Sequence, residues 1–303
     1  MTRILLIGTN GQVGWELARS LLPLGEIVAA DRMRCDLAQA GQAAALVAAV
    51  KPGIIVNAAA YTAVDQAENE PGLAMRINAE APAELARAAH ETGALLVHYS
   101  SDYVFDGKKK TPYLEEDRTA PSNVYGQSKL AGESAITSSG ADYVIFRTSW
   151  VYSARGKNFL RTIMRLADDR ESLRVVGDQI GAPTWARLIA ETTAHALCKD
   201  IDCRLNGNFT SALLHLSAAG STSWHGFASA IIRQAQHKGH MLKCREVSAI
   251  TSAEYPLPAQ RPANSRLSCN KLQQRYGLHL PDWEDCLSLV IDELSDIATR
   301  SNG

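Results

Sequence analysis

Through the first half of the chain, short apolar runs alternate with longer stretches of mixed character. The runs are Ile4–Ile7, Ile27–Ala30, Ile54–Val56, Leu95–Tyr99 and Tyr143–Phe146. Each is nearly continuously apolar, as expected of parallel strands covered on both faces. Between them, Val13–Leu22, Gln39–Val50, Ala81–Thr92 and Val124–Thr137 have helical patterning. Strand following helix in this way predicts right-handed crossovers and an α/β fold with a doubly wound parallel sheet. A helical protein with apolar loops fits poorly, because turn residues bound nearly every run.

After Trp150 the alternation weakens. Helices are predicted near Phe159–Asp168, Thr184–Lys199, Trp224–His237 and Trp283–Thr299, separated by loops and short apolar pieces. Pro256, Pro258 and Pro262 keep the stretch from Tyr255 to Asn264 out of any regular helix or central strand. The expected organisation is a sheet domain over residues 1–150 and a smaller, less regular lobe over 151–303, with segments near 184–220 returning to the sheet.

Composition narrows the function classes. Lys plus Arg number 31 and Asp plus Glu 32, a net charge of −1 over 303 residues. That balance gives no support to a nucleic-acid or anionic-membrane surface. The opening offers only Ile4–Ile7 before Gly8, too short for a signal peptide or a membrane span. A soluble, cytoplasmic protein is expected. The six cysteines (Cys35, Cys198, Cys203, Cys244, Cys269, Cys286) form no Cys-x-x-Cys pair and no cluster with His. They are expected to be buried or half-buried free thiols, with no structural metal.

Candidate chemistry begins right after the first run. Gly8-Thr9-Asn10-Gly11-Gln12-Val13-Gly14 is a Gly-x-x-Gly-x-x-Gly turn that opens a helix. Small residues there let backbone approach a pyrophosphate, and the helix N-terminus supplies free N–H groups and a positive dipole end. Its place between the first strand and first helix predicts a Rossmann-type dinucleotide site. Asp31 ends the second strand, twenty residues past Gly11. A carboxylate there suits the adenosine ribose of NADH, whereas the neighbouring Arg32 suits the 2′-phosphate of NADPH. A plain surface turn is the alternative, and cofactor preference stays open. Asp36 and Leu37 are candidates for covering the adenine. Ala60, Tyr61 and Thr62 follow the third strand, where small residues let a flat cofactor lie against backbone.

Tyr125 and Lys129 stand at i and i+4, on one face of a predicted helix. A free tyrosine has a pKa of about 10, and a nearby ammonium and a cofactor cation are expected to draw it down. In the reductive direction the neutral phenol donates a proton to a developing alkoxide. The fourth strand ends in Ser100-Ser101-Asp102. A hydroxyl at that edge can bond the carbonyl being reduced, and strand alternation favours Ser101.

Together these motifs resemble the dTDP-4-dehydrorhamnose reductase family of extended short-chain dehydrogenases/reductases. The likeness rests on Gly8–Gly14 with Trp15-Glu16-Leu17, on Asn57–Thr62 with Ala63-Val64-Asp65, on Ser101–Gly107 and on Tyr125–Lys129 with Leu130–Glu133. Phe146–Tyr152, Asp178–Thr184 and Arg261–Leu267 extend it over essentially the whole chain. The resemblance implies NADPH- or NADH-dependent reduction of the C4 ketone of dTDP-4-dehydro-6-deoxy-L-mannose to dTDP-L-rhamnose. It assigns Gly11, Gln12, Val13, Asp31, Asp36, Leu37, Ala60, Tyr61, Thr62, Tyr125 and Lys129 to the dinucleotide, with Ser101, Asp102 and Trp150 to the dTDP-sugar. Trp150 is expected to form a flat apolar wall, and Arg261 to meet the substrate diphosphate. The alternatives are another nucleotide-sugar 4-ketoreductase, or a regulatory subunit like the beta subunit of methionine adenosyltransferase.

Two departures stand out. Ser101 takes the place of a more usual Thr and keeps the hydroxyl. Some family members dimerise around magnesium held by glutamates; Glu16 and Glu293 match two such positions, but the third is Arg187. A cation in place of a carboxylate argues against a metal. The homodimer itself stays open.

Overall fold

A computed structural model describes residues 2–301, with side-chain surroundings through residue 295. Six parallel strands form the central sheet. They are β1 (Arg3–Ile7), β2 (Glu26–Ala30), β3 (Ile54–Asn57), β4 (Leu95–Ser101), β5 (Asp142–Thr148) and a sixth strand, Ala212–His215. The order from one edge is the sixth strand, β5, β4, β3, β1, β2. The chain runs from β1 to β2 on one side and then crosses to β3 on the other. That reversal opens a crevice beyond the C-terminal ends of β1 and β3, where open α/β sheets bind ligands.

Side chains alternate across the sheet. Ile4, Leu6, Ile54, Val56, Leu95, Val97, Val144 and Phe146 face helices Gln12–Ser20 and Ala186–Leu205. Leu5, Ile7, Ile55, Leu96 and Ile145 face helices Gln42–Val50, Ala81–Thr92 and Val124–Thr137. A separate core, including Leu160, Ile163, Phe227, Ile231, Trp283 and Leu287, holds the second lobe together. That lobe contains helices Phe159–Asp169, Trp224–His237 and Trp283–Ser301. It also holds a parallel strand pair, Ser172–Val176 with Glu246–Ile250, which the sequence pattern did not reveal.

The helix predicted over Ala81–Thr92 is the end of a longer one that starts at Pro71, a residue suited to a first helical position. Arg76–Glu80 forms a π turn inside it. A proline ring presses on the carbonyl four residues back, which for Pro82 is that of Asn78. The wider turn relieves this contact and turns the Asn78 side chain inward. Five of the six free cysteines are buried or half-buried as expected, but Cys198 is exposed. Among the described residues, no helix is long and apolar enough to cross a membrane.

Candidate active site

The Gly-rich turn follows β1 and lies against the end of β3. Gly8 has φ +87°, and a Cβ there would sit 2.6 Å from the Ala59 backbone nitrogen. Only glycine allows that conformation and that approach together. Gly11 is the N-cap of the first helix and carries no capping side chain, so the first-turn N–H groups are free for an anion. Gln12 and Val13 open that helix, both half-buried.

Asp31 folds back on its own loop, with Oδ1 accepting from the Met33 and Arg34 amides at 3.0 and 3.1 Å. Its Oδ2 accepts from Asn10 Nδ2 at 3.3 Å. Arg32 is largely exposed, beside Asp36 at 3.5 Å. Asp31 is thus partly committed to the turn, while Arg32 is exposed and, among the described residues, held by that ion pair alone. Asp36 Oδ1 accepts from the Ala38 amide, and Leu37 is buried. Beyond β3, Ala60 is half-buried and Thr62 exposed. The Tyr61 hydroxyl donates to Glu70 at 2.7 Å, and burial first, then that bond, pushes its pKa up to about 12.

Asn78, which carries no local sequence signal, clamps this segment to the helix Val124–Thr137. Its Oδ1 accepts from the Tyr61 amide at 2.9 Å, and its Nδ2 donates to Tyr61 O and Ser128 Oγ, both at 3.0 Å. The helix starts under Asn123, whose side chain accepts from the Gly126 amide at 2.7 Å. A Cβ on Gly126 would meet Tyr103 O at 2.2 Å. That close approach sets Tyr125 over the end of β4, edge-on to Tyr103 with ring centroids 5.4 Å apart.

Tyr125, Lys129 and Ser101 converge there. Lys129 is buried and donates to Tyr99 O at 2.6 Å. Burial pulls its pKa down to about 8, against the opposing pull of Glu133. Tyr125 departs from expectation: burial pushes its pKa up to about 12, and Asp102 adds to the rise. The Ser101 hydroxyl, within hydrogen-bonding reach, pulls the other way. The phenol is therefore held neutral, as a proton donor must be. Ser100 lies on the opposite side of the strand, its hydroxyl buried and without a partner among the described residues. Ser101 donates to Asp102 Oδ1 at 3.0 Å. Asp102 Oδ2 is buried with no hydrogen-bond partner in good geometry among the described residues; burial raises the carboxyl pKa to about 6, against the opposing pull of the Ser265 and Ser101 hydroxyls.

Trp150 and Arg261 differ from expectation. Trp150 stacks on Trp224 with centroids 3.6 Å apart and planes 10° from parallel. A Cβ on Gly181 would lie 2.5 Å from the same indole. Two neighbours this close cannot share one face, so the ring is sandwiched and offers its edge, not a flat wall. Its φ of +49° costs an L residue about 1–2 kcal/mol, which the sandwich offsets. Arg261 is clasped by Asp65 in a bidentate pair at 2.8 and 2.7 Å, so its planar fork is already engaged. Arg187 bridges Glu16 at 3.0 Å and Glu293 at 3.1 Å. Its guanidinium fills the space between the two carboxylates.

Comparison with known proteins agrees in sequence and in shape. The family model described as RmlD substrate binding domain matches residues 1–296. A dTDP-4-dehydrorhamnose reductase of Burkholderia thailandensis is 51% identical over 96% of this chain and 99% of its own. One from Shigella flexneri is 47% identical over 96% and 97%. Among solved structures, a dTDP-4-dehydrorhamnose reductase from Bacillus anthracis in complex with NADP superposes with a TM-score of 0.85 at 36% identity, covering 96% and 99% of the two chains. The Clostridium acetobutylicum structure gives 0.87 at 35%, covering 97% and 99%. With a Tyr–Lys–Ser site at the sheet edge and similarity along almost its full length, this chain belongs to the dTDP-4-dehydrorhamnose reductase family.

Proposed function

We propose that the chain reduces the C4 ketone of dTDP-4-dehydro-6-deoxy-L-mannose to dTDP-L-rhamnose with NADPH or NADH. The observation that carries this reading is the convergence of Tyr125, Lys129 and Ser101 at the same C-terminal edge of the sheet as the Gly8–Gly11 turn. The turn's close-packed glycine and bare N-cap suit a dinucleotide diphosphate. Arg32 or Asp31 meets the adenosine ribose, with Asp36 and Leu37 near the adenine. Ala60, Tyr61 and Thr62 line the approach to the nicotinamide.

A bound reduced nicotinamide supplies the hydride to C4. As negative charge develops on the sugar O4, the neutral Tyr125 phenol donates its proton there, and Ser101 supports the same oxygen. Lys129 holds the nicotinamide ribose, and its positive charge steadies the tyrosinate left behind. The buried Asp102 carboxylate accepts from a sugar hydroxyl through Oδ2, beside Ser265. The Trp150 edge borders the sugar, and Arg261 reaches the diphosphate by exchanging Asp65 for phosphate. Residues 1–150, with segments near 184–220, form the dinucleotide domain, and 151–303 mainly the substrate lobe. We place the enzyme in the cytoplasm, as a monomer or a metal-free homodimer.

The test is oxidation of NADH and of NADPH with a panel of dTDP- and UDP-linked 4-keto sugars. Turnover is expected with dTDP-4-dehydro-6-deoxy-L-mannose above all others. Preference for another sugar would reassign the substrate, and cofactor binding without turnover on any would mark a regulatory protein.

A further inference from the structure

The phosphate-binding helix is tied to a loop of the second lobe at its first residue. Gln12 Oε1 accepts from Ser153 Oγ at 3.0 Å and from Asn158 Nδ2 at 2.8 Å. The orientation of both amides follows. Asn158 Oδ1 accepts from the Arg161 amide at 3.0 Å, capping the helix Phe159–Asp169, so its Nδ2 must face Gln12. Nδ2 is further held by Ser153 O and Arg155 O at 2.9 and 3.0 Å. Facing a donor, Gln12 presents its oxygen and turns its two Nε2 hydrogens away. No partner meets those hydrogens among the described residues. The loop is also fitted to Gln12: Gly156 has φ +70°, and a Cβ there would lie 3.3 Å from Gln12 Cγ. Arg155 anchors it, stacked 4.6 Å over the ring of Trp15.

We propose that Ser153 and Asn158 are positioning residues of the dinucleotide site. They fix Gln12 so that its Nε2 hydrogens meet the cofactor diphosphate, making cofactor affinity depend on the second lobe. This rests on the reading that the Gly8–Gly11 turn receives that diphosphate. An amide donor to an anion at a helix N-terminus adds to the free backbone N–H groups. Without the loop, the Gln12 amide is free to rotate and present its oxygen instead.

Titration calorimetry with NADPH on the full chain tests both levels. Gly11→Asp places a carboxylate at the turn while giving the helix a favourable cap, so the fold is kept and NADPH affinity should fall more than tenfold. Unchanged affinity in this variant would remove the diphosphate reading and this inference with it. Asn158→Ser keeps a neutral capping oxygen, but its shorter side chain loses the amide that reaches Gln12. Combined with Ser153→Ala it should weaken NADPH about tenfold. In a Gln12→Ala background the same pair should change affinity hardly at all. Adenosine 2′-monophosphate, which lacks the diphosphate, should bind all loop variants equally. A full loss that persists without Gln12, or an equal loss for adenosine 2′-monophosphate, overturns the inference. If Gly11→Asp weakens binding while the loop pair shows no coupling to Gln12, the diphosphate reading stands and the positioning role fails.

Discussion

The two faces of the central sheet are built from opposite chemistry near their C-terminal edge. On the face covered by Gln12–Ser20 and Ala186–Leu205, the strands stay apolar almost to their ends, with Val56, Val97, Phe146 and Leu214 all buried. On the other face four of the six strands switch character at their last inward positions, while β1 and β2 stay apolar through Ile7 and Ala30. Ile55 gives way to Asn57, Leu96 to His98, Ile145 to Arg147 and Leu213 to His215, and all four polar residues are buried. Of these, Arg147 and His98 lie against the helix that carries Tyr125 and Lys129. Asn57 donates to His98 at 3.2 Å, and Arg147 grips Glu133 at 2.8 and 2.6 Å. Burial of such groups is costly unless they are paired, whereas aliphatic packing is simply favourable. One face therefore supplies cohesion, and the other gives up some of it to hold a lysine, an ion pair and neutral histidines near the candidate site.

The sharpest way to break that contrast is to unpair a buried charge. Arg147→Met leaves Glu133 uncompensated and should lower unfolding free energy by about 3–5 kcal/mol. Adding Glu133→Leu should recover much of that, as read by urea denaturation. On the apolar face, Ile189→Ala should cost about 2–5 kcal/mol through the cavity it leaves. Its kcat at a temperature where the variant is folded should nevertheless match the native value. A large fall in kcat there would show that the apolar face also shapes the chemistry.

A subtler effect follows from Lys129, whose pKa burial brings down to about 8. Below that pH the ammonium is charged and attracts the cofactor; above it the amine is neutral. NADPH affinity should therefore fall as pH rises through about 8, and Lys129→Met should remove that inflection. An inflection that survives the substitution would assign it to another group. The smallest effect expected concerns metal. Because the Arg187 guanidinium already bridges Glu16 and Glu293, magnesium followed by a chelator should leave the sedimentation coefficient unchanged. A chelator-dependent shift from dimer to monomer would contradict this.

The same contrast explains what was legible in the sequence. Strands buried on both faces announce themselves as apolar runs, and helices with side-chain caps, such as Val124–Thr137 under Asn123 and Trp224–His237 under Ser223, were placed to the residue. The strand pair Ser172–Val176 and Glu246–Ile250 escaped because it is half-exposed and its partners are remote in sequence. The π turn escaped because its signal, Pro82, first reads as a helix start. At the candidate site, groups whose members lie within a few residues are proposed from sequence alone and meet at one sheet edge: the glycine turn, Tyr125 with Lys129, and Ser101. Features made by distant partners were not. Asp65 claims Arg261 from 196 residues away, Trp224 and Gly181 enclose Trp150, and Asn78 joins Tyr61 to Ser128. The pKa of Tyr125 also depended on burial, which spacing alone does not report.

The central claim is that Tyr125 gives its proton to the substrate oxygen, and Tyr125→Phe tests it most directly. The variant keeps the ring, the helix and Lys129, so NADPH affinity should stay near the native value. Removing the donor should lower kcat for reduction of dTDP-4-dehydro-6-deoxy-L-mannose by about 10²–10⁴-fold. A variant that binds NADPH and reduces the sugar at close to the native rate would contradict the account.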